Sequence, residues 1–281
     1  MHQLYNSTLN ARIATKTSAK VCGVVLVALL VGLGLANFSC RRRPPEPVNP
    51  SPASDKESAA TKVSEADQLY RLRSNLGNVR QGIAILRQAR IADYGNYEAA
   101  WKLAKFSYYL GAHTDAERER DMTFREGVDA GKAAVQLAAA RPEGHFWLGA
   151  NYGGSAEHST LAGLSSVEDI RSEMETVLKI DEGYQSGSAY LALGQLYLRA
   201  PKLLGGDNAK ALEYLEKGLK FGRHNALLRA NLAEAYHAVN RDAEARKQID
   251  FVLSMTSDPE YLPEYNEAVA QVKKLLEKLN R

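Results

Sequence analysis

Residues Tyr190 to Tyr197 read YLALGQLY, and the spacing inside this stretch decides the fold. Tyr190, Leu193, Gly194 and Tyr197 fall on one face of a helix, because residues three, four and seven apart share a face. The glycine removes a side chain from the middle of that face, so a second helix can cross closely there. Leu191 and Gln195 occupy another side of the same helix. Similar stretches recur: Ala100, Leu103 and Ala104 with Trp101 beside them, then His145, Leu148, Gly149 and Tyr152, later Arg229, Leu232, Ala233 and Tyr236. Each is followed by a second run with small or apolar residues at helical spacing, such as Ala211, Leu215 and Gly218, or Ala245, Ile249 and Val252. From Ala66 onward no run alternates convincingly as a strand does. The expectation is an all-α chain built from pairs of helices.

A first helix with a large residue, Leu, a small residue and an aromatic in this order resembles the tetratricopeptide (TPR) repeat. The resemblance implies a TPR-like α-solenoid of four to five helical hairpins. A last amphipathic helix with Val269, Val272, Leu275, Leu276 and Leu279 would close it as a solubilising cap. The repeats are long. Leu103 to Leu148 and Leu148 to Leu193 each span 45 residues, and Leu193 to Leu232 spans 39, against a period of about 34. In the last two spacings the excess falls largely in Gly153 to Ser165 (GGSAEHSTLAGLS) and Arg199 to Asp207 (RAPKLLGGD). Both are read as loops on one edge of the solenoid.

The N-terminus has a different character. Arg12, Lys16 and Lys20 precede an uncharged apolar run from Val21 to Phe38, followed by Ser39, Cys40 and three arginines. This order is that of an export signal. Cys40 resembles the lipid-attachment cysteine of bacterial lipoproteins, although Asn37 and the bulky Phe38 depart from that pattern. An uncleaved signal anchor or plain secretion are the alternatives. All three place the bulk of the protein on the periplasmic side of a bacterial envelope. Residues 41–61 hold five of the nine prolines and are read as a disordered tether, which leaves 62–281 as the repeat domain. The two cysteines, Cys22 and Cys40, both precede that domain, so it can form no disulfide. Seven of the 36 basic but only three of the 33 acidic residues lie in 1–61. The repeat domain is therefore close to neutral and carries no electrostatic footprint for nucleic acid.

Tyr190 through Leu219, with APKLLGGD running into KALEYLEKGL, is similar to the T-component lipoproteins of TRAP transporters (the TatT family). The similarity extends over about Trp101 to Val252. It implies an envelope protein that assists ligand handling beside a substrate-binding protein.

Chemistry finds little footing in the chain. The six histidines show no HExxH or paired metal-ligand spacing, and His145 sits at a repeat position where packing against the next helix is expected. Gly153-Gly154 and Gly205-Gly206 match no phosphate loop, and Asp207 suits a helix N-cap better. No GxSxG frames a serine. The reading is a non-enzymatic binding or scaffold protein with no cofactor and no metal. Its concave face would be lined by Trp101, Lys105, Phe146, Leu191, Gln195 and Glu234. An apolar strip of Trp101, Phe146 and Leu191 suits an apolar small ligand or an amphipathic helix. The alternative use is an envelope assembly factor gripping protein partners, with homo-oligomers open in either case. Trp101 and Phe146 could equally be packed against a terminal helix folded into the groove.

Overall fold

The computed structural model describes residues 52–157 and 162–281. The expected export segment, Cys40 and the first part of the expected tether lie outside them, as does His158. The described residues form eleven helices: α1 (Pro52–Arg71), α2 (Leu76–Ala92), α3 (Tyr97–His113), α4 (Glu117–Leu137), α5 (Pro142–Glu157), α6 (Ala162–Ile180), α7 (Tyr184–Arg199), α8 (Asn208–Gly218), α9 (Ala226–Ala238), α10 (Asp242–Ser254) and α11 (Leu262–Leu279). Each odd-numbered helix up to α9 pairs with the next one, and each hairpin stacks on its neighbour. The five hairpins form an all-α, TPR-like solenoid, and α11 lies against α9 and α10 as its cap.

Local chemistry sets the turns. Asn75, Asn96, Asp207 and Asn225 each stand just before a helix, and their side chains accept hydrogen bonds from backbone N–H groups of the first turn. Those groups have no partner inside the helix, which is why Asn and Asp are favoured there. Asp207 accepts from both Ala209 and Lys210, so the GGD stretch ends as the sequence suggests.

The close crossing expected at Gly194 is present. A Cβ on this residue would lie 2.4 Å from Cγ of Leu215 in α8, and Leu193 and Leu215 are both fully buried. The aromatic residues of the same face fill the flanks, with Tyr197 stacked on Tyr214 at 5.5 Å and Tyr190 on Phe221 at 5.8 Å between ring centres. A polar strut supplements the apolar core. Buried Asn151 in α5 donates through Nδ2 to the carbonyls of Ala104 in α3 and Trp147, tying two first helices together.

Two stretches differ from the sequence reading. Helix begins at Pro52, not beyond Thr61, and Ala59 is fully buried. The segment from Pro52 to Thr61 (PASDKESAAT) holds three alanines and no glycine, and proline is tolerated in a helix's first turn. Ala59 joins the core cluster of the first helices from this stretch. The expected Gly153 to Ser165 loop is also shorter, because α5 continues to Glu157 and α6 begins at Ala162.

The start of α7 is irregular. Gln185, Ser186 and Gly187 have φ of 43°, 57° and 77°, a left-handed turn that disfavours side chains. Gly187 is required there, because a Cβ would come within 2.9 Å of the carbonyl oxygen of Gly218. Gln185 and Ser186 each hold a conformation that costs roughly 1–3 kcal/mol. Nδ2 of Asn225 donates to the carbonyl of Ser186 at 3.3 Å.

Candidate binding cavity

The first helices surround a cavity of about 2250 Å³. Helix α3 supplies Lys105, Tyr108 and Tyr109, α5 supplies Phe146 and Trp147, and α7 supplies Leu191 and Gln195. These residues reach the same space because each first helix presents its concave face with the same register. Of the expected groove residues, Lys105, Phe146, Leu191 and Gln195 lie on its wall.

Trp101 and Glu234 do not line it. Trp101 packs against the core cluster to which α1 contributes Ala59, Val63 and Ala66. The longer α1 therefore changes the environment at that end of the groove, and Lys102 pairs with Asp67 of α1 at 2.6 Å. The aromatic role falls instead to Trp147, whose ring meets Phe146 edge-on at 5.0 Å and Tyr108 at 5.8 Å. Tyr184 lies 5.3 Å from the ring of Phe146 on the other side.

His145 does not reach the cavity. Its Nδ1 meets Oε2 of Glu173 at 2.6 Å and its Nε2 meets the carbonyl of Ala139 at 3.0 Å, a structural link from α5 to α6. Among the described residues no group of three or more His, Cys, Asp or Glu could hold a metal ion.

The cavity also takes residues from beyond the first helices' expected faces. Tyr70 and Arg73 come from the end of α1 and the turn after it, and Glu260, Glu264 and Glu267 from the segment around the start of α11. Arg73 is almost fully buried and donates to Glu264 and to the carbonyl of Glu260, joining the two ends of the solenoid beside the cavity. No periodicity marks this pairing, because one partner lies in the turn after α1 and the other at the start of α11. At the opposite side Arg199 of α7 pairs with Glu157 of α5 at 2.5 Å.

Electrostatics inside the cavity follow from confinement. Burial pushes the Lys105 ammonium down to about 8, helped by the positive charges of Arg73 and Lys102 and partly offset by Asp67 and Glu264. Burial pushes the Tyr108 hydroxyl up to about 12 and raises the Glu267 carboxyl. The Lys105 ammonium sits 4.1 Å from the centre of the Tyr70 ring and 5.9 Å from that of Trp147.

A helical-repeat solenoid that encloses a mixed aromatic and charged cavity is the architecture of a binding protein. The model of the TRAP transporter T-component family matches residues 112–278, and the chain belongs to that family. Solved structures of low identity share the fold. TTC0263, a thermophilic TPR protein of Thermus thermophilus, is 21% identical, with a TM-score of 0.57 over 75% of this chain and 99% of that one. PilF of Pseudomonas aeruginosa is 19% identical, with a TM-score of 0.51 over 80% of this chain and 93% of the other. A sequence comparison with curated proteins finds no match.

Proposed function

We propose that this protein is a non-enzymatic ligand-handling component on the periplasmic side of a bacterial envelope, held to the membrane through its N-terminus and acting beside a TRAP-type transport system. The single observation that carries this reading is the cavity of about 2250 Å³ walled by Tyr108, Phe146, Trp147 and Leu191. Ligand pockets commonly hold about 300–1,000 Å³, so there is room for an apolar ligand together with water. Among the described residues no helix is long and apolar enough to cross a membrane. The N-terminal segment would supply the attachment, either by a lipid on Cys40 or by an uncleaved anchor, and its apolar run from Val21 to Phe38 supports that reading.

Native mass spectrometry of the full chain, released from detergent, tests the reading. A small molecule should be retained by the wild type and lost from Phe146→Ala. A ligand-free chain that instead captures envelope proteins would favour the assembly-factor reading. The outer surface gives that second reading its footing, because Ile91, Tyr94 and Met122 are all more than half exposed and share a shallow depression with Arg90 and Arg125.

A further inference from the structure

The charged groups of the cavity can be sorted by partner. Arg73 is taken by Glu264 at 2.8 Å and by the carbonyl of Glu260. Arg199 is taken by Glu157, and Nδ1 of His113 meets the carbonyl of Tyr109 at 2.8 Å. Arg71, Lys220 and Arg223 stand at exposed positions, where water solvates them. Lys105 is the exception. It is half-buried, and among the described residues it has neither an ion pair nor a hydrogen bond.

The two carboxylates whose charge acts on Lys105 are both engaged elsewhere. Asp67 is bound by Lys102 at 2.6 Å, and Glu264 by Arg73. The remaining groups that bear on it are the cations Arg73 and Lys102 and the rings of Tyr70 and Trp147. An ammonium over an aromatic face recovers only part of the hydration it has lost. Confined this way, a cation without an anion is a cost that an incoming negative group would remove.

We propose that the ligand of this cavity is an amphipathic monoanion, whose single negative group is received by Lys105 while its apolar body lies along Phe146, Trp147 and Leu191. The inference rests on the ligand-handling reading and specifies its ligand class. A single charge is specified because Lys105 is the one half-buried cation on this wall that lacks an ionic partner among the described residues, while the other cations of the wall are paired or open to water. The apolar body follows from the position of Trp147, which touches both the lysine's surroundings and the Phe146 wall.

The test uses the full chain in nanodiscs of neutral phosphatidylcholine, titrated calorimetrically at about pH 7 against empty nanodiscs. The probes are octanoate, octanol and octanedioate, which share a chain length and differ in charge. Wild type should bind octanoate about tenfold or more tightly than octanol, with octanedioate weaker than octanoate. Lys105→Met should lose the preference for octanoate and keep octanol binding, which also reports that its cavity is folded. Lys105→Gln serves if the methionine variant does not fold, and Lys105→Arg should retain the preference. Equal binding of octanoate and octanol by wild type overturns the proposal, and so does an octanoate preference that survives Lys105→Met or Lys105→Gln. Octanedioate binding as tightly as octanoate overturns the single-charge assignment. Failure of octanol itself to bind would instead overturn the apolar-cavity reading on which the proposal stands.

Discussion

Arg73 and Glu264 lie 191 residues apart and share a forked ion pair, with Nη2 reaching both carboxylate oxygens at 2.9 and 2.8 Å. Arg73 follows α1, Glu264 opens α11, and among the described residues no other ion pair joins the first hairpin to the last helix. The guanidinium also rests 5.0 Å from the centre of the Tyr70 ring. Removing one partner of a buried pair costs about 3–5 kcal/mol, and Glu264's side chain is one third exposed, so about 2–3 kcal/mol is expected for Arg73→Ala. Lys in its place cannot reproduce the fork and should recover only part of the loss. Hydrogen exchange checks the geometry as well as the energy. Amides in the second turn of α11 should lose protection before those of α9, and unchanged exchange there would show that the pair does not hold the ends together.

The glycine at the centre of YLALGQLY gives a local prediction with a built-in control. Gly194→Ala places a methyl 2.4 Å from Cγ of fully buried Leu215. Overpacking of this kind costs typically about 1–3 kcal/mol, so the midpoint of denaturant unfolding should fall, and Leu215→Val should partly rescue it. At Gly153 a Cβ would meet only Cδ1 of Ile170, at 3.9 Å. Gly153→Ala should therefore stabilise by about 0.5–1 kcal/mol, because alanine is the better helix former. A loss of stability at Gly153 comparable to that at Gly194 would contradict the close-crossing account.

The difference between these two glycines also shows what sequence could and could not reveal. Period and residue size identified the helices, the hairpins and the register that sends Lys105, Phe146, Leu191 and Gln195 inward, because those depend on neighbours within one helix pair. Gly194 was legible as a crossing for the same reason. Trp101 shared the register of Lys105, yet it packs into the cluster that includes residues of α1, a helix whose first ten residues resemble a tether in composition. Arg73, Glu264 and Tyr70 reach the cavity from turns and helix ends, where no periodic pattern constrains them. The left-handed run at Gln185 to Gly187 was equally silent, since only its glycine departs from ordinary helical composition.

Lys105 makes stability depend on pH in a definite direction. Its ammonium is held down to about 8 in the fold from an ordinary value of 10.5, so between these values the unfolded chain binds the extra proton. Stability from this residue therefore rises as pH increases from about 8 to about 10.5, and below that window the charged side chain is a full penalty. Arg73 and Lys102 deepen the penalty, and Asp67 and Glu264 lessen it. Lys105→Met should raise stability at about pH 7 by something on the order of 2 kcal/mol, with the advantage shrinking toward about pH 10.5. Urea unfolding of both proteins across that range measures the difference directly. An advantage that stayed constant with pH would assign the effect to packing alone.

Phe146 and Trp101 separate ligand contact from core packing. Phe146 lies on the cavity wall between Trp147 and Tyr184, whereas Trp101 lies off the cavity and within the first core cluster. Truncating the wall residue removes apolar surface from a bound alkyl chain, worth about 1.5 kcal/mol or about tenfold in Kd. Phe146→Ala should thus weaken octanol binding about tenfold, while Trp101→Ala should lower thermal stability and leave the octanol Kd within about twofold of wild type. Calorimetric titration below the melting transition of both variants keeps the two effects apart. If Trp101→Ala weakens octanol binding as much as Phe146→Ala does, the ligand lies nearer the α1 end than the cavity wall of α5 and α7.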